Sequence, residues 1–439
     1  SAPTNRVHVM ELGDPAAPRV GGEMARLLDR DDALYDFVGN DGPVLFFRTD
    51  LDAPRGRIVA VDLRDPAPSA WRTVVAQTED VLTSARIVDG CFVASYLQDA
   101  HSRVRIFDLA GAPLRDLELP TLGTVGIVSG RQGDRDVFYS FTSFLHPSGI
   151  YRHDLRTGAT EAVYTPRTTF DASRYVTEQV FFTSRDGTRV PMFVTRRRDL
   201  VRDGSNPTLL YGYGGFNWNL TPAYSVPVLV WLEMGGVYAA PNLRGGAEYG
   251  EDWHRAGMLE RKQNVFDDFI AAAEHLVREG YTSPRKLAVS GGSNGGLLVG
   301  VVVNQRPELF GASLPAVGVM DMLRFHRFTI GWGWVPEYGS ADDPEQFPWL
   351  YAYSPLHNLV PGTRYPATLV TTGDHDDRVV PGHSFKYAAA LQAAQGGPAP
   401  VLIRVETRAG HGAGKPTSMQ IEEEADKLAF LVKELGVYA

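Results

Sequence analysis

The sequence predicts two architectures in one chain: repeated antiparallel β-units come first, and a doubly wound, mostly parallel α/β domain follows. Two observations carry this prediction. Strand-like runs recur at a fixed spacing in residues 1–170, and strand-like runs alternate with helix-length segments in residues 171–439. A chain of 439 residues is also too long for one hydrophobic core. We therefore expect two domains, with the boundary near residue 170.

The first part is predicted to contain blades of a β-propeller, because its repeat length is strict. Each repeat ends in Asp-Leu, and the aspartates lie 46 residues apart: Asp62, Asp108 and Asp154. A second strand-like run precedes each repeat end, at residues 44–47, 91–94 and 136–139. Several short strands per unit and a period in the forties are typical of propeller blades. A β-sandwich, the alternative, does not keep a fixed repeat length.

The number of blades is smaller than a closed propeller usually has. Residues 6–12 resemble a further copy, so the sequence contains three complete blades and part of a fourth. Propellers typically close with four to eight blades. We therefore expect either an unusually small propeller or a chain from which the N-terminal blades are absent.

The second part predicts a sheet with helices on both faces. Asp-Gly at residues 186–187, between apolar runs at residues 180–183 and 190–194, indicates a hairpin. Further strand-like runs occupy residues 208–211, 236–240, 286–290, 367–371 and 400–405. Helical segments are predicted over residues 266–279, 297–303 and 419–435. Strands separated by helices favour parallel pairing.

The composition argues against several classes of protein. A net charge of −9 disfavours a nucleic-acid surface, because phosphate binding needs clustered Lys and Arg. The best candidate for a membrane span, residues 226–231, ends at Glu233 and is too short. A single cysteine, Cys91, excludes an internal disulfide framework but does not indicate the compartment.

The clearest chemical motif is Gly-Gly-Ser-Asn-Gly at residues 291–295, between a predicted strand and a predicted helix. A serine on such a sharp turn is the nucleophile elbow of α/β-hydrolases. Side chains at Gly291 or Gly295 would collide with the neighbouring strand and helix, which explains the glycines. Ser293 is therefore the candidate nucleophile. The alternative is a glycine-rich loop that contains a serine by chance.

The order of the chain restricts the choice of general base. In α/β-hydrolases the acid and then the histidine follow the serine, each on a loop after a strand. Five histidines follow Ser293: His326, His357, His375, His383 and His411. Only His411 follows the last predicted strand, so we predict that His411 is the base.

The acid is expected after the preceding strand, where three carboxylates lie close together. Asp374, Asp376 and Asp377 all satisfy this position, and spacing does not choose among them. A metal site that combines these three aspartates with His375 is the rival interpretation. We disfavour it because no second His-rich segment is present.

Hydrogen-bond donors for a tetrahedral intermediate are predicted at two places. The first is the backbone N–H of Asn294, directly after the nucleophile. The second is the loop Tyr-Gly-Tyr-Gly-Gly-Phe at residues 211–216, through a tyrosine hydroxyl or a backbone N–H. Alternatively, these glycines only permit a tight turn.

Five motifs, in order, resemble those of the prolyl oligopeptidase family. They are Tyr-Gly-Tyr-Gly-Gly-Phe at 211–216, Asn-Leu-Arg-Gly-Gly at 242–246, Gly-Gly-Ser-Asn-Gly-Gly-Leu-Leu at 291–298, Asp-His-Asp-Asp-Arg-Val-Val-Pro at 374–381 and Ala-Gly-His-Gly-Ala-Gly-Lys-Pro at 409–416. The resemblance implies an α/β-hydrolase domain covered by a seven-bladed propeller. It also implies hydrolysis of short peptides after proline, without a metal or other cofactor.

The resemblance also implies roles for individual residues. Asp376 is implied as the triad acid, Tyr213 as the oxyanion hydroxyl, and Arg378 as a ligand for a carbonyl or carboxylate of the peptide. The implied proline pocket consists of Phe216, Asn294, Val319, Trp334, Tyr338 and Val379. Stacking of the Trp334 indole on the pyrrolidine ring fits a residue that offers an apolar ring and no N–H.

Family members have a longer N-terminal part than this chain, so we expect a separate N-terminal propeller fragment as a partner. We otherwise expect a monomeric enzyme in the cytoplasm, with the periplasm as the alternative compartment. Two other functions stay open. Glu337, near Trp334, is a candidate for recognising a basic residue instead of proline, and a decayed hydrolase domain would leave a propeller scaffold.

Overall fold

The computed structural model describes residues 4–14, 16–412 and 414–437. The chain divides into two compact units. The first comprises Ser1–Arg167 and Tyr249–Glu251, and the second comprises Thr168–Glu248 and Asp252–Ala439.

The described part of the first unit consists of antiparallel sheets in sequence order. Its strands are β1 (Val7–Met10), β2 (Met24–Leu28), β3 (Tyr35–Asp41), β4 (Val44–Thr49), β5 (Arg57–Asp62), β6 (Arg72–Val75), β7 (Val81–Val88), β8 (Cys91–Gln98), β9 (His101–Asp108), β10 (Pro113–Leu117), β11 (Thr124–Ser129), β12 (Asp136–Thr142), β13 (Gly149–Asp154) and β14 (Thr160–Tyr164). Among the described residues, β3–β6, β7–β10 and β11–β14 form four-stranded sheets, and β1 pairs with β2. These sheets confirm the predicted blades.

The repeated aspartate has a local structural purpose. Each one ends the third strand of its blade and accepts a backbone N–H two residues further on. The bonds are 2.9 Å from Arg64 to Asp62, 2.9 Å from Ala110 to Asp108, and 2.8 Å from Arg156 to Asp154. Asp side chains commonly stabilise turns in this way. The repeat in the sequence is therefore a repeat of one hairpin turn.

Apolar side chains between successive sheets form the core of the first unit. Phe46 on β4 and Phe92 on β8 are buried, and their rings meet edge to face with centroids 5.0 Å apart. Gly39 on β3 faces the Ile87 side chain so closely that a Cβ at residue 39 would lie 2.8 Å from Cδ1. Neighbouring blades therefore interlock through aromatic rings and close backbone approach.

The described residues of the second unit form one eight-stranded sheet flanked by helices. Its strands are β15 (Tyr175–Thr183), β16 (Arg189–Arg197), β17 (Thr208–Tyr211), β18 (Val237–Pro241), β19 (Leu287–Gly292), β20 (Ala312–Ala316), β21 (Ala367–Gly373) and β22 (Val401–Glu406). The strand order is β15-β16-β18-β17-β19-β20-β21-β22. The first three strands of this order pair antiparallel, and the remaining pairs are parallel. The mostly parallel sheet confirms the predicted fold class.

The α-helices of the described residues are α1 (Val226–Glu233), α2 (Glu251–Arg255), α3 (Gln263–Arg278), α4 (Asn294–Gln305), α5 (Val335–Tyr338), α6 (Phe347–Tyr353), α7 (Gly382–Ala394) and α8 (Thr417–Leu435). The sequence pattern missed β20 and α7. Strand β20 reads Ala-Ser-Leu-Pro-Ala, with no β-branched residue. Helix α7 is rich in alanine and has little contrast between its faces.

Residues 226–231, the best sequence candidate for a membrane span, form part of the short helix α1. Across the residues described here, no helix combines the length and apolarity that crossing a membrane requires. The central strands β19 and β21 are almost wholly buried, and they carry the loops on which the candidate site is built.

Candidate active site

Ser293 occupies a strained turn between β19 and α4. Its backbone has φ 58° and ψ −115°, a conformation that residues other than glycine rarely adopt. Its N–H donates to the carbonyl of Ala316 at 2.9 Å. A Cβ at Gly291 would collide with the carbonyl oxygen of Gly295, and one at Gly295 would collide with that of Gly212. The flanking glycines are therefore required by close backbone packing, as the sequence predicts.

The structure brings one of the three candidate acids to His411. Asp376 Oδ2 lies 2.7 Å from His411 Nδ1, while Oδ1 accepts the N–H groups of Arg378 at 3.0 Å and Val379 at 2.9 Å. The Asp376 side chain is fully buried. These bonds orient the carboxylate, and the carboxylate in turn holds the imidazole.

The other two aspartates have different surroundings. Asp374 contacts His375 Nδ1 at 2.5 Å and accepts the N–H of Arg408 at 2.7 Å, and Asp377 is exposed. Within the described residues, no group of three or more His, Cys, Asp or Glu side chains is arranged to hold a metal ion. The structure therefore does not assemble the rival metal site from the aspartates and His375.

The nucleophile and the base are not hydrogen-bonded to each other in this structure. Among the described residues, neither Ser293 Oγ nor His411 Nε2 has a hydrogen-bond partner. Catalytic hydrogen bonds are often long before substrate binds and shorten in the complex. The structure thus presents an oriented acid–base pair and a half-buried serine on a separate turn.

Tyr213 and Asn294 lie next to each other, and the Asn294 side chain connects two parts of the site. Its Nδ2 donates to the carbonyl of Tyr213 at 2.5 Å, and its Oδ1 accepts the hydroxyl of Tyr338 at 2.8 Å. Burial raises the pKa of Tyr213 to about 12. The phenol therefore stays protonated at neutral pH and can donate a hydrogen bond.

The apolar residues of the implied pocket belong to one hydrophobic cluster. Val319, Tyr338 and Val379 are buried in it, and Phe216 and Trp334 pack against it. The remaining implied ligand, Arg378, is exposed.

The rings of this cluster are fixed by mutual contacts. Phe216 and Tyr338 meet edge to face with centroids 5.4 Å apart. Phe325 stacks on Trp334 at 6.3 Å and meets Tyr338 edge to face at 5.3 Å. Phe325 is an aromatic neighbour that sequence reasoning did not select, because a lone Phe in an irregular segment carries no signal of its own.

The carboxylate of Glu337 already binds other groups of the protein. Its Oε1 accepts the N–H of Phe216 at 3.0 Å and lies 3.4 Å from Lys262 Nζ, and its Oε2 lies 2.8 Å from His254 Nε2. The carboxylate is buried, with 6 % of its side chain exposed. A substrate's basic side chain would have to displace these bonds, so the structure disfavours the basic-specific alternative.

A second buried carboxylate, Glu248, connects the loop after β17 to the loop after β18. Its Oε1 accepts the N–H of Leu220 at 2.9 Å and lies 3.4 Å from Asn242 Nδ2. Burial raises the pKa of Glu248 to about 7. The folded state therefore binds this proton more tightly than the unfolded chain, and stability is lost as pH rises through 7.

We expect Glu248→Gln to stabilise the protein at pH 8 and to have little effect at pH 5. Glutamine imitates the protonated acid at every pH, so it removes a cost of about 3 kcal/mol that ionised Glu248 imposes at high pH. Thermal unfolding of both proteins at the two pH values measures this difference. Equal differences in Tm at pH 5 and pH 8 would contradict the assignment of the proton to Glu248.

Comparisons with known proteins show the family to which the chain belongs. The model of the prolyl oligopeptidase family matches residues 222–437, and the model of its N-terminal β-propeller domain matches residues 1–166. The chain is 48 % identical over 401 residues to a prolyl endopeptidase of Elizabethkingia miricola, covering 91 % of this chain and 57 % of that protein. The chain belongs to the prolyl oligopeptidase family.

Solved structures give the same result. A structure from a study of two prolyl endopeptidases matches with a TM-score of 0.92 and 45 % identity, over 100 % of this chain and 64 % of the other. Prolyl oligopeptidase B from Galerina marginata, bound to a 35-residue hydrolysis and macrocyclization substrate, also matches with a TM-score of 0.92, at 35 % identity, over 99 % of this chain and 62 % of the other.

The chain spans less than two thirds of the length of these relatives. The expectation of a separate N-terminal propeller fragment finds no support in the comparisons, because the propeller-domain model matches from residue 1.

Proposed function

We propose that residues 171–439 form the peptidase domain of a serine oligopeptidase that cleaves short peptides on the carboxyl side of proline, and that residues 1–170 are propeller blades. The observation that carries this proposal is the Asp376–His411 hydrogen bond in a domain whose Ser293 occupies a nucleophile elbow. The names of the relatives, prolyl endopeptidase and prolyl oligopeptidase, support the choice of proline.

The proposed reaction passes through an acyl-enzyme. His411 Nε2 takes the proton of Ser293 as Oγ attacks the prolyl carbonyl, and the tetrahedral intermediate then expels the amine, which receives this proton from His411. Water, activated by the same imidazole, attacks the ester and releases the peptide acid. Asp376 holds Nδ1 protonated and stabilises the imidazolium throughout.

Two donors would stabilise the negative oxygen of the intermediate: the backbone N–H of Asn294 and the hydroxyl of Tyr213. The raised pKa of Tyr213 supports its role, because a phenol that is neutral at pH 7 retains the proton that it must donate. The bond from Asn294 Nδ2 to the carbonyl of Tyr213 holds the two donors side by side. Such donors act on the charge that develops in the transition state.

The apolar cluster beside Ser293 suits a proline side chain. A pyrrolidine ring offers a flat apolar surface, so it is recognised by shape and by contact with aromatic faces. We propose that the ring stacks on Trp334 and lies between Phe216, Val319, Tyr338 and Val379. The exposed guanidinium of Arg378 would bind a carbonyl or carboxylate of the peptide.

We expect Trp334→Ala to lower kcat/KM for a fluorogenic X-Pro amide by about 10- to 100-fold, because it removes the stacking surface and leaves a cavity. The corresponding X-Ala amide, which lacks the ring, should lose less than about threefold. Steady-state kinetics with the X-Pro, X-Ala and X-Arg amides measures both the variant and the preference of the wild type.

Trp332→Ala is the matched control, because Trp332 lies two residues away and is 69 % exposed. It should leave kcat/KM unchanged for each amide. A wild-type protein that hydrolyses the X-Arg amide as fast as the X-Pro amide would refute the proposed specificity.

A further inference from the structure

We propose that the buried pair Lys262 and Glu337 is a positioning device that holds the loop carrying Tyr213 and Phe216 in its catalytic geometry. This inference rests on the proposed function, since it assigns the pair a role in the same reaction. Neither side chain is expected to touch substrate; both act through the loop.

The pair binds the loop backbone at two points. Lys262 Nζ donates to the carbonyl of Gly214 at 2.9 Å, and Glu337 Oε1 accepts the N–H of Phe216 at 3.0 Å. Lys262 Nζ and Glu337 Oε1 lie 3.4 Å apart, so the two bonds are joined by one ion pair. The loop is thereby held through the carbonyl of Gly214 and the N–H of Phe216, one and three residues after Tyr213.

The loop needs such support because its backbone is not favoured locally. Phe216 and Asn217 both have φ of +57°, and Gly214 has φ of +64°. Non-glycine residues in this region cost of order 1 kcal/mol or more and persist only where surrounding contacts impose them. A Cβ at Gly215 would lie 2.9 Å from Lys262 Nζ, so the ammonium sits directly against the loop.

A contribution to overall stability does not account for the pair. Lys262 and Glu337 have only 1 % and 6 % of their side chains exposed, and two charges withdrawn from water in this way are often no more stabilising than apolar residues of similar size. The charges instead fix the positions of the backbone groups that they bind, because a charge-assisted hydrogen bond has a defined geometry.

Glu337 is itself held in place as an anion. Burial alone would raise the pKa of Glu337, but the charge of Lys262 and the hydrogen bonds from His254 and Phe216 bring it below its ordinary value. His254 Nε2 lies 2.8 Å from Oε2, the oxygen that does not face the loop. Both carboxylate oxygens are therefore fixed.

The same loop is linked to the nucleophile turn. Asn294 binds the carbonyl of Tyr213 and the hydroxyl of Tyr338, and Lys262 Nζ lies 5.4 Å from the centre of the Tyr338 ring. A displacement of the Gly214 or Phe216 backbone would therefore move the Tyr213 hydroxyl. Displacements of about 1 Å can cost about 100-fold in rate.

The experiment is a double-mutant cycle on kcat for the X-Pro amide. The variant Lys262→Met/Glu337→Gln removes both charges of the pair together, so neither Lys262 nor Glu337 is left as an unpaired buried charge. It should lower kcat about 30-fold, because the oxyanion donor is misplaced. In a Tyr213→Phe background, where that donor is already gone, the same double change should lower kcat less than about threefold.

An equal loss of kcat in both backgrounds would overturn the inference, since a merely structural defect does not depend on the Tyr213 hydroxyl. An unchanged kcat in the first background would also overturn it. If the double variant does not fold, Glu337→Gln alone, which keeps the shape of the side chain, is measured in the same two backgrounds. The same Tyr213-dependent loss is expected, at about fivefold, and its absence refutes the inference.

A second ion pair of the same unit serves as the control. Glu178 and Arg196 form an ion pair between β15 and β16, and their other described side-chain hydrogen bonds go to Arg197, Arg202 and Tyr281. The variant Glu178→Gln/Arg196→Met should leave kcat unchanged in both backgrounds. Failure of the proposed function itself is recognised separately, because the wild type would then hydrolyse the X-Pro amide no faster than Ser293→Ala.

Discussion

Replacing Ser293 with alanine is expected to lower kcat for an X-Pro amide by about 10⁴- to 10⁶-fold. The reason is that the acyl-enzyme cannot form without Oγ, and only binding and the oxyanion donors remain. Alanine keeps the Cβ that the turn already accommodates, so the fold should be retained. Progress curves at high enzyme concentration measure kcat, and covalent labelling with a fluorophosphonate, detected by intact mass, measures the nucleophile directly.

Ser290→Ala is the matched control for this experiment. Ser290 lies on β19 three residues before the nucleophile and pairs with Tyr211 through its backbone, so its hydroxyl is not part of the proposed chemistry. This variant should hydrolyse the amide and take up the label like the wild type. Retention of activity and label by Ser293→Ala would show that another group is the nucleophile.

Replacing Asp376 with asparagine is expected to lower kcat by about 10⁴-fold. An asparagine amide can present a donor to Nδ1, which favours the imidazole tautomer with the proton on Nε2, and this tautomer cannot accept the serine proton. Because Asp376 Oδ1 also accepts two backbone N–H groups, the amide oxygen can keep those bonds and the loop geometry. The loss should therefore fall on kcat, with KM changed by less than about threefold.

Asp374→Asn separates this role from a general need for negative charge. Asp374 lies two residues away but contacts His375 and the Arg408 N–H instead of His411. Its kcat should stay within about threefold of the wild type. If Asp374→Asn were as damaging as Asp376→Asn, the single-acid assignment would fail.

The sequence predicted those parts of the candidate site that are defined by a few consecutive residues or by the order of segments along the chain. The elbow at Ser293 is defined by a few consecutive residues, because the steric conflict that requires glycine arises within the turn and its nearest backbone. His411 was selected by chain order after the last strand, and the structure shows no strand after β22 within the described residues. Neither selection needed a distance between side chains.

The sequence did not predict the residues that hold the loop carrying Tyr213 and Phe216, because these residues come from distant segments of the chain. Lys262 and His254 lie 75 and 83 positions from Glu337 in the chain, in segments that read as ordinary charged surface. Glu337 attracted notice, but as a potential ligand for a basic substrate. Only the folded structure shows that its carboxylate already binds three groups of the protein.

By itself, the sequence determined the two architectures, the blade repeat, the nucleophile turn and the candidate base. These follow from period, steric demand and chain order, which are properties of short segments. Spacing left three neighbouring aspartates open and the family resemblance implied Asp376; the tertiary structure shows the contact of Asp376 with His411. It also decided that Glu337 serves the loop of Tyr213. Both outcomes depend on side chains from distant segments meeting in a buried space, and no local pattern encodes such a meeting.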